Sequence, residues 1–303
     1  AGIPVTPLSV QNVVEEVDNF DVIFINDISG SSFNKAIFEN MMEKADEAKT
    51  SVIFGDVYFS GSGINHLVNY REDPQNRRNV ADTTKAANYV LLEEHPIFKG
   101  IEVGEQVELL LPSGSRISYF DDYSGYPIAE ITHEGNADSH GLGVAYKPRT
   151  DNSVELLMSG HGFGLYHHFE HYTEEGLRLL TNAVVWAAYA QFNVISGVIT
   201  DEEANPLYAS VEVDGVPFDT ATDPSTGEFS IAINDGDYDV TISSFGYDRK
   251  IEQIRLDNNF EPLQVEMVVS ENVGSIVGTI EDEKDGSALE GVEVNIVGVP
   301  RES

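Results

Sequence analysis

A chain of 303 residues with 41% hydrophobic and 10% aromatic content is long enough for two domains with cores of their own, and too apolar to be disordered. Its 52 acidic and 17 basic residues give a formal charge of −35, a field that repels nucleic acid and anionic membranes and excludes both as partners. Cysteine is absent, which removes disulfides, thiolate nucleophiles and thiolate metal sites together.

Residues 3–8 read as a short strand and 10–17 as a short helix. Phe20-Asp-Val-Ile-Phe-Ile then holds four consecutive apolar residues, as in a strand covered on both faces. Phe33, Ile37, Met41, Ala45 and Ala48 recur at helical spacing behind a Ser31 or Ser32 cap, and residues 51–55 form a second buried strand. Strand, helix and parallel strand in succession predict an α/β fold built on an open, mostly parallel sheet. Chemistry in such sheets sits at the carboxyl ends of the strands, here residues 27–32 and 56–63. Ile64, Leu67 and Val68 mark another short helix, and the polar stretch 69–81, with Arg71, Arg77 and Arg78, reads as a solvated loop. His95-Pro-Ile-Phe-Lys-Gly-Ile is a turn leading to a strand at 106–111, and alternation predicts strands at 127–132, 141–146 and 154–159. Thr173, with Glu174 and Glu175 behind it, opens a helix whose apolar face is expected to be Leu177, Leu180, Val184 and Ala188, with Trp186 packing near the domain's end.

From Asn193 helical spacing gives way to short alternating strands separated by Asn-Pro, Asp-Gly and Thr-Gly turns. Gly197, Asp201, Val211, Glu212 and Val213 reappear as Gly278, Asp282, Val292, Glu293 and Val294 at one fixed offset, the mark of an array of β modules. The expected organisation is an α/β domain at 1–192, a β-sandwich at 193–271 and a truncated second copy at 272–303. The chain reads as a fragment of a longer polypeptide, with a strand ahead of Ala1 expected to complete the sheet.

Ser196-Gly-Val-Ile-Thr-Asp, Tyr208-Ala-Ser-Val-Glu-Val, Thr226-Gly-Glu-Phe-Ser-Ile and Gly236-Asp-Tyr-Asp-Val-Thr-Ile, with Phe245-Gly-Tyr after them, resemble the carboxypeptidase regulatory-like domain. That resemblance implies a transthyretin-like sandwich of the kind found as an accessory module in secreted peptidases and surface proteins. Phe20-Asp-Val-Ile-Phe-Ile, Glu94-His-Pro-Ile-Phe-Lys-Gly, Ser159-Gly-His and Leu179-Leu-Thr-Asn-Ala-Val-Val-Trp resemble the class I glutamine amidotransferase-like fold in its trehalose-utilisation (ThuA-like) branch, a flavodoxin-like sheet. Amidotransferases place a cysteine on the turn after the second strand. Asp56 stands at that position here, so the resemblance implies no thiolate acyl transfer and no glutaminase activity. Similar two-part arrangements occur in large secreted subtilisin-like peptidases, the parent expected for this chain.

The candidate pocket is Asp56, Ser60, Ser62 and His161, with no residue assigned a catalytic role. Ser60-Gly-Ser-Gly lacks the Gly-x-Ser-x-Gly order of a nucleophile elbow, so Gly61 and Gly63 are read as turn residues before a helix. His167 and His171 have zinc spacing only if they share a helix, and Thr173 as a cap leaves them outside it; no metal is expected. Asp201, Asp223, Asp235 and Asp237 offer at most weak calcium binding, without an EF-hand pattern.

Two functions are expected from different classes. The first is a non-catalytic extracellular or cell-surface accessory region, binding a carbohydrate or protein or spacing on behalf of the remaining polypeptide, a peptidase domain among the partners. The alternative is a ThuA-like enzyme acting on a sugar or small polar substrate through Asp56 and His161 without a cysteine nucleophile.

Overall fold

A computed structural model describes residues 3–9, 12–25, 35–55, 77–80, 86–111, 117–120, 123, 125–133, 140–160, 169–271, 278–280 and 287–288. The chain divides into two compact units, residues 1–192 and 193–303.

The first unit mixes helices with strands. A short helix α1 (Val13–Glu16) runs into a 3-10 turn and strand β1 (Val22–Ile25); helix α2 (Lys35–Ala48) then leads to β2 (Ser51–Phe54). β1 and β2 are adjacent and parallel, with Ile23 opposite Val52 and Ile25 opposite Phe54, as the crossover pattern requires. Each residue of β2 is buried, because the strand has cover on both faces. Val52 and Phe54 pack beneath Phe38, Met41 and Ala45 of α2. Ile53 faces the other way, into the core beneath helix α3 (Glu174–Ala188), with Leu179, Ala183 and Ala187.

β2 pairs in parallel on its other side with β9 (Ser153–Met158). The sheet continues through β8 (His140–Thr150), β7 (Tyr126–His133), β4 (Ala87–Leu91) and β5 (Gln106–Leu110), while β3 (Arg77–Val80) pairs with β6 (Ile117–Phe120), which reaches β8. It curls as a half-barrel.

Three expectations are corrected here. The sheet is not mostly parallel: only β1, β2 and β9 run together, and every other pairing is antiparallel. The cause lies in the connections. β8 turns into β9 through Asp151 and Asn152 alone, and a hairpin of that length permits only an antiparallel neighbour. The path from β1 to β5 is continuous, with β2 paired on both sides and β1 at its edge. Finally, residues 3–9 form no strand, and the supposed loop 69–81 contains β3 at its end.

The second unit is all-β among its described residues. One sheet has the order β13 (Glu228–Ile233), β10 (Asn193–Thr200), β16 (Leu263–Glu266). The other runs β12 (Thr220–Ala221), β11 (Ser210–Val213), β14 (Gly236–Ser243), β15 (Lys250–Leu256). Alternate residues are buried, among them Ile195 and Ile199 on β10, Val211 and Val213 on β11, and Phe229 and Ile231 on β13. Gly197, one of the repeated glycines, is set by contact: a Cβ there would lie 2.6 Å from the Leu263 carbonyl oxygen, so a side chain would force β10 and β16 apart. No helix among the described residues is long and apolar enough to cross a membrane.

Candidate functional site

The sequence-predicted pocket residues Asp56, Ser60, Ser62 and His161 lie outside the described residues, as do His167 and His168. The frame that delivers the chain to them is described. Because β2 and β9 are parallel neighbours with Phe54 opposite Leu157, their carboxyl ends lie side by side. Gly55 leaves β2 buried, its N–H donating to the Ile25 carbonyl at 3.0 Å. Next to it, Ser159 and Gly160 leave β9 in a turn, and Gly160 takes φ +82°, a conformation that favours glycine.

That turn is heavily tied. The Ser159 hydroxyl donates to the Leu142 carbonyl at 2.6 Å, and its N–H donates to the Gly143 carbonyl at 2.8 Å. The Ser159 carbonyl accepts from the Tyr89 hydroxyl at 2.5 Å, and the Gly160 carbonyl accepts from the Tyr172 hydroxyl at 2.7 Å. Both tyrosines are buried. Sequence reasoning located the strand ends but missed these two residues, since an aromatic in an apolar run carries no mark of a polar task.

The buried ionisable network of the first unit belongs to its structure. Glu155 on β9 is 4% exposed, and burial raises its carboxyl above the usual range against the opposing pull of Arg149. It accepts from the Tyr123 hydroxyl at 2.8 Å and lies 3.5 Å from the Arg149 guanidinium, whose Nε donates to Asp46 at 3.0 Å. The network therefore ties α2, through Asp46, to β8 and β9. It is sealed from solvent at Glu155 and Tyr123 and takes no part in the strand-end frame. His171 lies in the 3-10 turn Phe169–His171, ahead of α3 rather than on it.

In the second unit each expected calcium-binding aspartate is already engaged locally. Asp201 accepts from the N–H groups of Glu203 at 2.9 Å and Asn205 at 2.8 Å, and these turn contacts lower its pKa, the Asn205 side chain most of all. Asp223 does the same for the turn at Ser225 and Thr226; Asp235 accepts from Asn193, and Asp237 faces Arg255 at 3.9 Å. Among the described residues no three histidine, aspartate or glutamate side chains come together as a metal site. A groove of about 700 Å³ does open in this unit, between residues 220–223 on one side and 228–230 on the other.

Comparison with known proteins gives the second unit a family. Residues 195–275 match the model of the CarboxypepD_reg-like domain, so this segment carries a carboxypeptidase regulatory-like domain. The matched span is 81 residues, the same as the offset from Gly197 to Gly278. No curated protein matches the chain. Among solved structures, a cytoplasmic protein of Salmonella typhimurium LT2 is similar at 12% identity and a TM-score of 0.37, covering 59% of this chain and 77% of its own. The Bacillus anthracis TIE protein is similar at 14% identity and a TM-score of 0.23; the alignment covers 78% of this chain and 45% of that protein.

Proposed function

We propose that the chain is a non-catalytic accessory region of a secreted or cell-surface protein, in which an amidotransferase-like (ThuA-like) domain precedes tandem transthyretin-like sandwiches that bind a ligand or act as spacers. The observation that carries this reading is the carboxypeptidase regulatory-like match at 195–275, followed by a repeat of its motif at the same period. A module that recurs at its own length is an array, and arrays present surfaces rather than perform a single reaction. The lack of cysteine supports the non-catalytic half, since the thiolate of an amidotransferase has no counterpart in the sequence. A subtilisin-like peptidase is the parent this arrangement suits best.

Two measurements test it. Immunodetection should find the chain in the medium, or cleaved by added protease on intact cells of the source organism; detection only inside the cell ends the extracellular reading. Incubation with glutamine should release ammonia no faster than a heat-inactivated control. Ammonia above that control supports the amidotransferase-like domain as an enzyme instead.

A further inference from the structure

The groove in the β unit lies where two sheet edges meet and then separate. β13 bonds to β10 through alternate residues: the Ile199 N–H donates to the Gly227 carbonyl at 2.9 Å, which fixes Gly227, Phe229 and Ile231 as the residues whose backbone groups point at β10. The N–H and C=O groups of Glu228 and Ser230 therefore point away from it. The same argument holds for β12. The Thr222 N–H donates to the Ala209 carbonyl at 2.9 Å, toward β11, so the groups of Ala221 and Asp223 point outward. The two outward edges face each other, and the Asp223 N–H donates to the Glu228 carbonyl at 2.8 Å.

Among the described residues no ladder follows that bond: β12 pairs only with β11, and β13 only with β10. Two residues further along each strand, Ala221 and Ser230 are exposed and line the groove instead of bonding to one another. The backbone donors and acceptors of Ser230 and Ala221 thus face a slot closed at one end by Asp223 and Glu228, whose own outward groups are taken: the Glu228 N–H donates to the Thr226 hydroxyl at 3.2 Å, and the Asp223 carbonyl accepts from the Gly227 N–H at 2.7 Å. Beside them, Ser196 opposite Ser230 and Val198 opposite Glu228 carry the groove across β13 to β10. Small hydroxyls and a valine leave room for side chains that project every second residue. Both charged residues at the closed end are acidic, in a chain of net charge −35.

We propose that this groove takes an extended, lysine- or arginine-bearing peptide segment that bonds as a short added strand to the outward edge of β13 at Ser230, its basic side chains meeting Glu228 and Asp223. Backbone bonding to Ser230 supplies the strand geometry, and the carboxylates select the charge. The proposal rests on the binding half of the function above and names its partner class.

The test uses the whole 303-residue chain and a fluorescein-labelled octapeptide alternating lysine with valine. Its glutamate-for-lysine counterpart and a version with proline replacing valine serve as controls. Fluorescence anisotropy should show saturable binding of the lysine–valine peptide only, and the Ser230 amide should gain hydrogen-exchange protection on binding. Ser230→Pro removes the outward N–H while sparing the bonds to β10, and should weaken binding about tenfold, the worth of one to two backbone bonds. Glu228→Lys, an exposed change, should weaken it at least as much and lessen its dependence on salt. Equal binding of the proline peptide means charge alone is responsible and overturns strand addition. Unchanged affinity in Glu228→Lys, or no binding of the lysine–valine peptide, overturns the site whether or not Ser230→Pro folds. A chain found only inside cells defeats the extracellular reading and leaves this titration as it stands.

Discussion

His95 caps the 3-10 turn Pro96–Phe98 and carries its ring into an aromatic wall, with Trp186 edge-on at 4.5 Å and Tyr146 at 5.4 Å between centroids. Its Nδ1 accepts from the Ile97 N–H at 3.3 Å, a task that needs that nitrogen unprotonated. Removal from water disfavours the imidazolium, and the pKa falls to about 4. The folded pKa lies below the unfolded value near 6.5, so between those limits the unfolded chain binds more protons. Stability from this group is complete above about pH 6.5, declines as pH falls toward 4, and loses roughly 2–3 kcal/mol over that window. His95→Gln retains an acceptor and does not titrate. Urea unfolding followed by Trp186, the only tryptophan, should give a wild-type stability that falls more steeply from pH 6.5 to 4 than the variant's. Parallel pH curves for the two proteins would show that His95 is not the cause.

α3 shows how much of an element is legible before its packing is known. Its start is written in Thr173: the hydroxyl accepts from the Gly176 N–H at 2.9 Å, as the Thr-Glu-Glu order predicts. The face is offset from the reading by size. Leu177, Leu180 and Val184 are only partly buried, while Gly176, Leu179, Ala183 and Ala187 are fully so, because small residues let the helix axis approach the sheet. Large apolar side chains draw the eye, and the seam lies one residue earlier. Strand positions were legible for the same reason the Thr173 cap was: alternation and turn residues are local. Strand direction was not: the reading of 141–146 stops short of Thr150 and so hides the two-residue hairpin into β9, and the order of β7, β4 and β5 expresses long-range pairing. Of the candidate site, the parallel pairing of β1 with β2 followed from the crossover, whereas the β2–β9 adjacency and the Tyr89 and Tyr172 ties to Ser159 and Gly160 are long-range contacts with no local mark. Gly176 decides between two opposed effects. Helix propensity favours alanine over glycine by about 1 kcal/mol, but a Cβ there would lie 2.6 Å from the Leu109 carbonyl oxygen on β5. Backbone cannot yield as a side-chain tip does, and overpacking costs about 1–3 kcal/mol, so Gly176→Ala should gain nothing from helix propensity and destabilise by up to about 2 kcal/mol net. Thr173→Ala should cost about 1 kcal/mol through the lost cap. A denaturation midpoint raised by Gly176→Ala would mean that α3 sits further from β5.

At the scale of the whole molecule, 52 acidic residues against 17 basic ones leave most carboxylates without a cation to face. The described ion pairs do little to offset this. Lys49 and Asp151, 2.8 Å apart, are each about half exposed, and pairs of that kind contribute ~1 kcal/mol or less. Repulsion between like charges is therefore the larger electrostatic effect, and it acts on the compact state more than on the expanded one. It is also long-ranged at low salt: the screening length is ~30 Å at 0.01 M and ~3 Å at 1 M, so added salt removes repulsion across a domain while leaving buried contacts such as Glu155–Arg149 nearly untouched. Raising sodium chloride from 0.01 to 1 M should stabilise both units, by about 1–2 kcal/mol each, which shifts the midpoint of the larger first unit by roughly 2–8 °C and that of the smaller second unit by more. Because the chain is two units, one melting curve cannot describe it. Trp186 fluorescence reports the first unit alone, and far-ultraviolet circular dichroism reports both. The two should rise with salt together, and an equally concentrated neutral osmolyte such as glycerol should not reproduce the low-salt end of the response, where screening changes fastest. A fluorescence midpoint that stays level or falls with salt would mean that local ion pairs, not net charge, govern the electrostatics of the first unit.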